Sequence, residues 1–183
     1  MTSIRGLLIS HMIWKNMNHN APHKKHSAAR HRWQNAFFNK DRLPEAYTWS
    51  AETTPGGTAF QRVIRTDTGR TGRVLLYFHG GAYRDGLVPS YRNFSTGFFQ
   101  AANGCETIYL DYRCAPDYQY PTQLNEALDL WDDLTKRQGY APDQIILGGD
   151  SAGANLALAL LLKLRDLNKT MPRAAFCISA WTD

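Results

Sequence analysis

Ser151 stands in Gly149-Asp150-Ser151-Ala152-Gly153, a G-x-S-x-G spacing that can present a serine hydroxyl as a nucleophile. Gly149 and Gly153 carry no side chain to clash at a sharp turn. The chain can therefore hold the serine between them in a strained backbone conformation, with its hydroxyl projecting above a sheet. Small residues also cluster in ordinary turns, and a glycine-rich packing turn is the competing reading. The flanking sequence favours the nucleophile elbow: Gln144 to Leu147 is a short apolar run that predicts a buried strand, and Ala152 to Leu164, rich in Ala and Leu, predicts a helix. A helix that begins at Ala152 aims its first N–H groups at any negative charge beside Ser151, which suits an oxyanion better than a neutral carbonyl.

A second candidate element is His79-Gly80-Gly81-Ala82-Tyr83, directly after the continuous apolar run Val74 to Phe78. Two glycines at the C-terminal end of a central strand let the backbone approach a ligand and offer it N–H groups. His79 invites a general-base assignment. A histidine fixed inside a glycine turn is better read as shaping the loop through bonds to backbone groups, since the loop's function needs free amides rather than a mobile base. Acyl transfer needs an activated hydroxyl and fixed donors around a negative tetrahedral oxygen, and Ser151 with the Gly80, Gly81 and Ala152 amides supplies both.

The elements that would position these groups alternate between strand and helix. Arg73 to Phe78 reads as a strand covered on both faces, Asn93 to Ala102 as a helix, and Cys105 to Tyr112 as a strand. Leu124, Ala127, Leu128, Trp131 and Leu134 then follow helical spacing, with Asn125, Glu126, Asp129, Asp132 and Asp133 assigned to a solvated face. After the elbow and its helix, Ala174 to Ser179 reads as a third central strand. This succession predicts an α/β fold with a mostly parallel sheet and helices on both faces. Ahead of it, Tyr47 to Gly57 reads as turn and Phe60 to Thr66 as an edge strand. Residues 1–45 read as an N-terminal arm with two helical candidates, either a cap over a pocket or elements packed on the rim, and 46–183 as the core.

The 183 residues suffice for one core, and 43% hydrophobic with 20% charged residues fits a soluble globular class. Cys105, Cys114 and Cys177 cannot all pair and form no C-x-x-C, which predicts reduced thiols in the cytoplasm. No metal cluster or cofactor motif is present. No apolar run reaches the roughly 18 residues of a membrane span, so stable membrane insertion is not expected. The net charge of +5 is concentrated between Lys15 and Lys40. Without aromatic interleaving or a reading helix, this stretch predicts a solvated arm and no nucleic-acid partner.

Four blocks in order, His79-Gly80-Gly81-Ala82, Asp111-Tyr112-Arg113-Cys114-Ala115-Pro116, Gly149 to Asn155 and Ser179-Ala180-Trp181-Thr182-Asp183, resemble the hormone-sensitive-lipase-like family of α/β-hydrolases. The likeness runs from about residue 60 to the end. It implies an α/β-hydrolase sheet, Ser151 as acyl nucleophile, oxyanion donors at Gly80, Gly81 and Ala152, a small-molecule ester substrate, and a substrate-covering cap from the helices before the sheet. Ala82 stands where many members have a third glycine, a change that an ordinary backbone angle at that position would tolerate. Ala154 likewise replaces a common glycine.

The resemblance also implies a triad in the chain order Ser, Asp or Glu, His. Residues 152–183 contain no histidine, and their acidic residues are Asp166, on the elbow helix, and Asp183. Neither inherits the acid role. The sequence therefore reads as the front part of a serine ester hydrolase: a fragment, half of a split enzyme, or a truncated product. A sheet that stops at Ala174 to Ser179 predicts association, with a second polypeptide completing the sheet and triad or with another copy. A non-catalytic protein that keeps the pocket to hold a small acyl or carboxylate ligand is the alternative.

Overall fold

The computed structural model describes residues 43–101 and 104–182. The expected cap helices, the basic stretch up to Lys40 and Asp183 lie outside the described residues. Six strands, β1 (Tyr47–Thr53), β2 (Ala59–Arg65), β3 (Val74–Phe78), β4 (Glu106–Leu110), β5 (Ile145–Asp150) and β6 (Ala174–Ile178), form one sheet in the order β1-β2-β4-β3-β5-β6. The β4, β3, β5 and β6 neighbours run parallel, while β1 with β2 and β2 with β4 run antiparallel. Helices α1 (Tyr91–Ala101), α2 (Thr122–Asp132) and α3 (Ala152–Asp166) connect and flank them.

The unbroken apolar sequence of β3 follows from burial on both faces, and all five of its residues are buried. Alternate side chains go opposite ways. Val74, Leu76 and Phe78 join Ile108 and Leu110 against Ala127, Leu130 and Trp131 of α2 and Leu156, Leu160 and Leu164 of α3. Leu75 and Tyr77 face the other side with Val63 and Tyr109, where Tyr91 and Phe98 of α1 pack. Among the described residues no helix is long and apolar enough to cross a membrane.

Three expectations need correction. Tyr47–Thr53 is a strand, not a turn; it pairs along its whole length with β2 and has only intermediate or exposed residues, so no apolar alternation marks it. β2 consequently lies inside the sheet, between β1 and β4. Its mixed polarity has another cause, because Arg62 is buried in an ion network. Its guanidinium donates to Glu106 of β4 at 2.6 Å, to Glu52 of β1 at 2.9 Å and to Gln138 at 2.6 Å, and Tyr140 also donates to Glu106. Third, the acidic face of α2 is only partly wet. Glu126 is buried and accepts from the Arg113 backbone and guanidinium, Asp133 is buried against Arg137 and Gln138, and Asp129 accepts from Thr54.

Glu106 is wholly buried, so its charge depends on Arg62. Removing one member of such a pair leaves an uncompensated charge, at a cost of about 3–5 kcal/mol, whereas replacing both with apolar groups is often neutral. Arg62→Leu is therefore expected to lose about 3 kcal/mol or more in urea unfolding, and Arg62→Leu with Glu106→Leu to recover most of it. A single variant within experimental error of the parent would contradict this.

Candidate active site

Parallel pairing sets Phe78 of β3 opposite Gly149 of β5, and Asp150 opposite Ile178 of β6. The segments that follow these strands, His79 to Tyr83, Ser151 and Ser179 to Trp181, therefore leave the same end of the sheet side by side. Ser151 N–H donates to Ile178 O at 2.9 Å and Trp181 N–H to Ser151 O at 3.2 Å, which ties the elbow to the third segment.

Ser151 is exposed, with φ 50° and ψ −119°, a left-handed conformation that costs a non-glycine residue about 1–3 kcal/mol. Close packing on both sides holds it there. A Cβ on Gly153 would lie 2.0 Å from Phe78 O and 2.4 Å from His79 O, and one on Gly149 would lie 2.5 Å from the carbonyl of Gly153. Glycine at these two positions lets the start of α3 seat directly on the end of β3. Asn155 N–H donates to Ser151 O as the helix begins, while among the described residues no acceptor takes the Ala152 N–H. The serine hydroxyl and this amide thus sit together where β5 ends.

The histidine-glycine loop is anchored by Asp150, the residue before the serine. Its carboxylate accepts from Gly80 N–H at 3.1 Å, Tyr91 O–H at 3.0 Å and Tyr77 O–H at 3.2 Å, and Gly80 N–H also reaches Tyr91 Oη at 2.9 Å. Burial and the Asp150 charge push both tyrosine pKa values up, so both hydroxyls keep the protons they donate. Gly80 is a glycine because a Cβ there would lie 2.3 Å from Asp150 Oδ2. This differs from the sequence expectation for Gly80: its amide is spent on anchoring the loop. The uncommitted donors are one and two residues further on, since among the described residues no acceptor takes the N–H of Gly81 or Ala82.

Those amides are presented by an unusual backbone run, with φ 120° at Gly81, 53° at Ala82 and 58° at Tyr83. The tolerance expected for Ala82 assumed an ordinary angle. The structure instead places an alanine in left-handed space, at a cost of roughly 1–2 kcal/mol. Contacts from two sides hold the run: Ala115 N–H donates to Tyr83 O at 2.7 Å, and Tyr83 O–H donates to Asn155 Oδ1 at 2.7 Å.

His79 shapes this loop from beneath. Its Nδ1 bonds Gly80 O at 2.7 Å, its ring stacks on Tyr112 at 4.0 Å, and Tyr112 O–H donates to His79 O at 2.7 Å. Burial lowers its pKa to about 4, so the ring is neutral with the proton on Nδ1. Nε2 has no partner among the described residues. Asp166 ends α3, about 22 Å along the helix from Ser151, and pairs with Arg165. Sequence reasoning missed Asp150, Tyr77 and Tyr91. Asp150 lies inside the quoted motif, but nothing local connects it with tyrosines 73 and 59 positions earlier. Among the described residues no group of three or more His, Cys, Asp or Glu side chains converges as metal ligands do.

Residues 75–183 match the family model described as alpha/beta hydrolase fold. The chain is 43% identical over 112 residues to an acetyl-hydrolase of Streptomyces hygroscopicus, covering 61% of this chain and 37% of that protein. It is 34% identical over 111 residues to an esterase of Acinetobacter venetianus, covering 61% of this chain and 36% of that protein. It thus spans well under half the length of these two curated relatives. A crystal structure of an esterase from the bacterial hormone-sensitive lipase family superposes with a TM-score of 0.79 at 28% identity, over 100% of this chain and 60% of that one. With the Ser151 elbow and the anchored histidine-glycine loop at one end of the sheet, the chain belongs to the alpha/beta hydrolase fold family, on its hormone-sensitive-lipase-like branch.

Proposed function

We propose that this chain carries the nucleophile and oxyanion site of a serine carboxylic-ester hydrolase acting on small-molecule esters. The observation that carries the reading is the left-handed Ser151 seated between a free Ala152 amide and the end of β3, from which the Gly81 and Ala82 amides arise. Ser151 Oγ attacks the ester carbonyl carbon and the three amides receive the developing oxyanion. The C–O bond then breaks, the alcohol leaves with the serine's proton, and water releases the acid from the acyl-enzyme. Its relatives' printed names, acetyl-hydrolase and esterase, support this class.

The proton acceptor in this scheme is a histidine outside residues 43–182. His79, the one histidine among the described residues, is locked to Gly80 O, buried and neutral, and has no route to Ser151's proton. We further propose that a polypeptide segment carrying the histidine and carboxylate pairs with β6, or that another copy of the chain associates through that edge. That strand has one described neighbour, and Ala174, Ala175, Cys177 and Ile178 are exposed. The free thiols of Cys105, Cys114 and Cys177 support a cytoplasmic setting.

The test is hydrolysis of short-chain p-nitrophenyl esters together with fluorophosphonate labelling, on the chain alone and with any co-purifying polypeptide. Labelling at Ser151 that disappears in Ser151→Ala is the expected outcome. Absence of labelling in every assembled sample would overturn the hydrolase reading in favour of a ligand-binding protein, which the locked His79 on its own would suit.

The neutral His79 also sets a pH dependence. Its folded pKa of about 4 lies below the ordinary 6.5, so between these values the unfolded chain binds the extra proton. Stability is held above about pH 6.5 and falls as pH drops toward 4, by about 3 kcal/mol in total. Urea unfolding at pH 7, 6, 5 and 4.5 should show this decline, and His79→Gln should flatten it. An unchanged slope in the variant would mean that His79 takes up its proton as readily in the fold as in the unfolded chain.

A further inference from the structure

The oxyanion donors at Gly81 and Ala82 lie in a turn that Arg84 N–H closes on Gly81 O at 2.9 Å, and its two central residues, Ala82 and Tyr83, have φ 53° and 58°. Glycine, asparagine or aspartate ordinarily occupy such positions. Alanine and tyrosine favour the opposite hand, and the same closing bond forms in a right-handed turn as well as in this one. That bond therefore does not choose the hand. The Ala82 side chain is exposed, so its own packing does not choose it either.

The two hands differ in where Tyr83 points. Reversing the turn re-aims the Cα–Cβ bond of Tyr83, so a bond from its side chain to a fixed helix is made in one hand and lost in the other. Here Tyr83 O–H donates to Asn155 Oδ1 at 2.7 Å. Burial pushes the Tyr83 pKa up to about 12, which keeps the donor protonated. Asn155 is itself fixed to the elbow, since its backbone N–H donates to Ser151 O at 3.2 Å. It thus bonds the nucleophile turn through its backbone and the oxyanion loop through its side chain. Asp150 holds the upstream end of the same loop at Gly80, and the two donor amides lie between these ties. The Tyr83 ring also packs on the core, 5.8 Å from Tyr112 and 6.4 Å from Trp181.

We infer that Tyr83 and Asn155 are positioning residues: the bond between their side chains sets the left-handed form of the loop, and with it the direction of the Gly81 and Ala82 amides. A glycine at position 82 would accept that form without strain, and the alanine found there makes this chain depend on the tie. The role in catalysis rests on the ester-hydrolase reading, while the tie's control of the loop is tested without it.

The test uses Tyr83→Phe, which keeps the ring and removes the hydroxyl, and Asn155→Leu, which keeps the volume and removes the acceptor, each alone and together. In samples that label at Ser151, each variant should label with fluorophosphonate at least about threefold more slowly. The double variant should label no more slowly than either, as a single bond requires. With p-nitrophenyl acetate the loss should fall on kcat, with KM within about twofold, because the amides act on the transition state. In an Ala82→Gly background, Tyr83→Phe should leave the labelling rate within about 1.5-fold. A hydroxyl that only stabilises the fold would cost the same in both backgrounds. A folded Tyr83→Phe with the parental labelling rate, additive losses in the double variant, or equal loss with alanine and glycine at position 82 would overturn the inference.

The loop itself is read by NMR on the full chain. A positive φ brings a residue's own N–H and Hα together, so Ala82 and Tyr83 should each show a strong intraresidue NOE. Asn155→Leu should weaken both while urea unfolding shows the chain still folded. If no sample labels, the hydrolase reading is refuted, and NOEs of parental strength in Asn155→Leu would still overturn the tie.

Discussion

The arrangement of this molecule depends on a backbone contact that leaves no room for a side chain. Gly153, in the first turn of α3, lies so close to the end of β3 that a single added carbon would fall 2.0 Å from a carbonyl oxygen. With α3 seated there, the chain has one residue in which to turn from β5 into the helix, and Ser151 adopts a left-handed conformation to do it. The same contact fixes the distance between the two ends of the site, since His79 and the glycine loop continue from the strand on which Gly153 rests. Nucleophile and oxyanion donors are therefore placed by one packing constraint rather than by separate ones.

Asp150 extends that constraint across the site. It is the last residue of β5, next to the serine, and it draws the Gly80 amide and the hydroxyls of Tyr77 and Tyr91 onto one carboxylate. Loop, elbow and α1 are thereby joined by charge-assisted bonds, which are stronger than neutral ones. Left-handed non-glycine residues collect in the same region, at Ala82, Tyr83, Ser151 and Ser179. Such strain persists only where surrounding structure over-determines it, and here the surroundings are the buried β3 and β5 strands with helices on both faces. At the other side of the sheet the Arg62 network binds the antiparallel strands β1 and β2 to β4.

What could be read from the sequence was what short-range pattern encodes. β3, β4, α2 and the strand-elbow-helix unit were legible because an unbroken apolar run, a helical apolar stripe and a glycine spacing are local signals. The loop-shaping role of His79 was legible from its glycine neighbours. β1 was not, because an edge strand with exposed residues carries no apolar alternation. The burial of Glu126 and Asp133 was hidden because their partners, not their hydrophobicity, allow it. The commitment of the Gly80 amide depends on a side chain 70 residues away. The left-handed angle at Ala82 is imposed by the packing around the loop, so its residue type gave no sign of it.

The most direct test of this account is the unfolding free energy of Gly153→Ala in urea, beside Gly86→Ala as a control, since a Cβ at Gly86 meets nothing within 4 Å. Forcing extra atoms into a packed contact costs about 1–3 kcal/mol where neighbours can yield, and more where they cannot. Two backbone carbonyls at a central strand cannot yield cheaply. The account predicts a loss of about 3 kcal/mol or more for Gly153→Ala, against a change within about 0.5 kcal/mol for Gly86→Ala. A Gly153→Ala variant as stable as the control would contradict it, because the elbow would then not be held by its seat on β3.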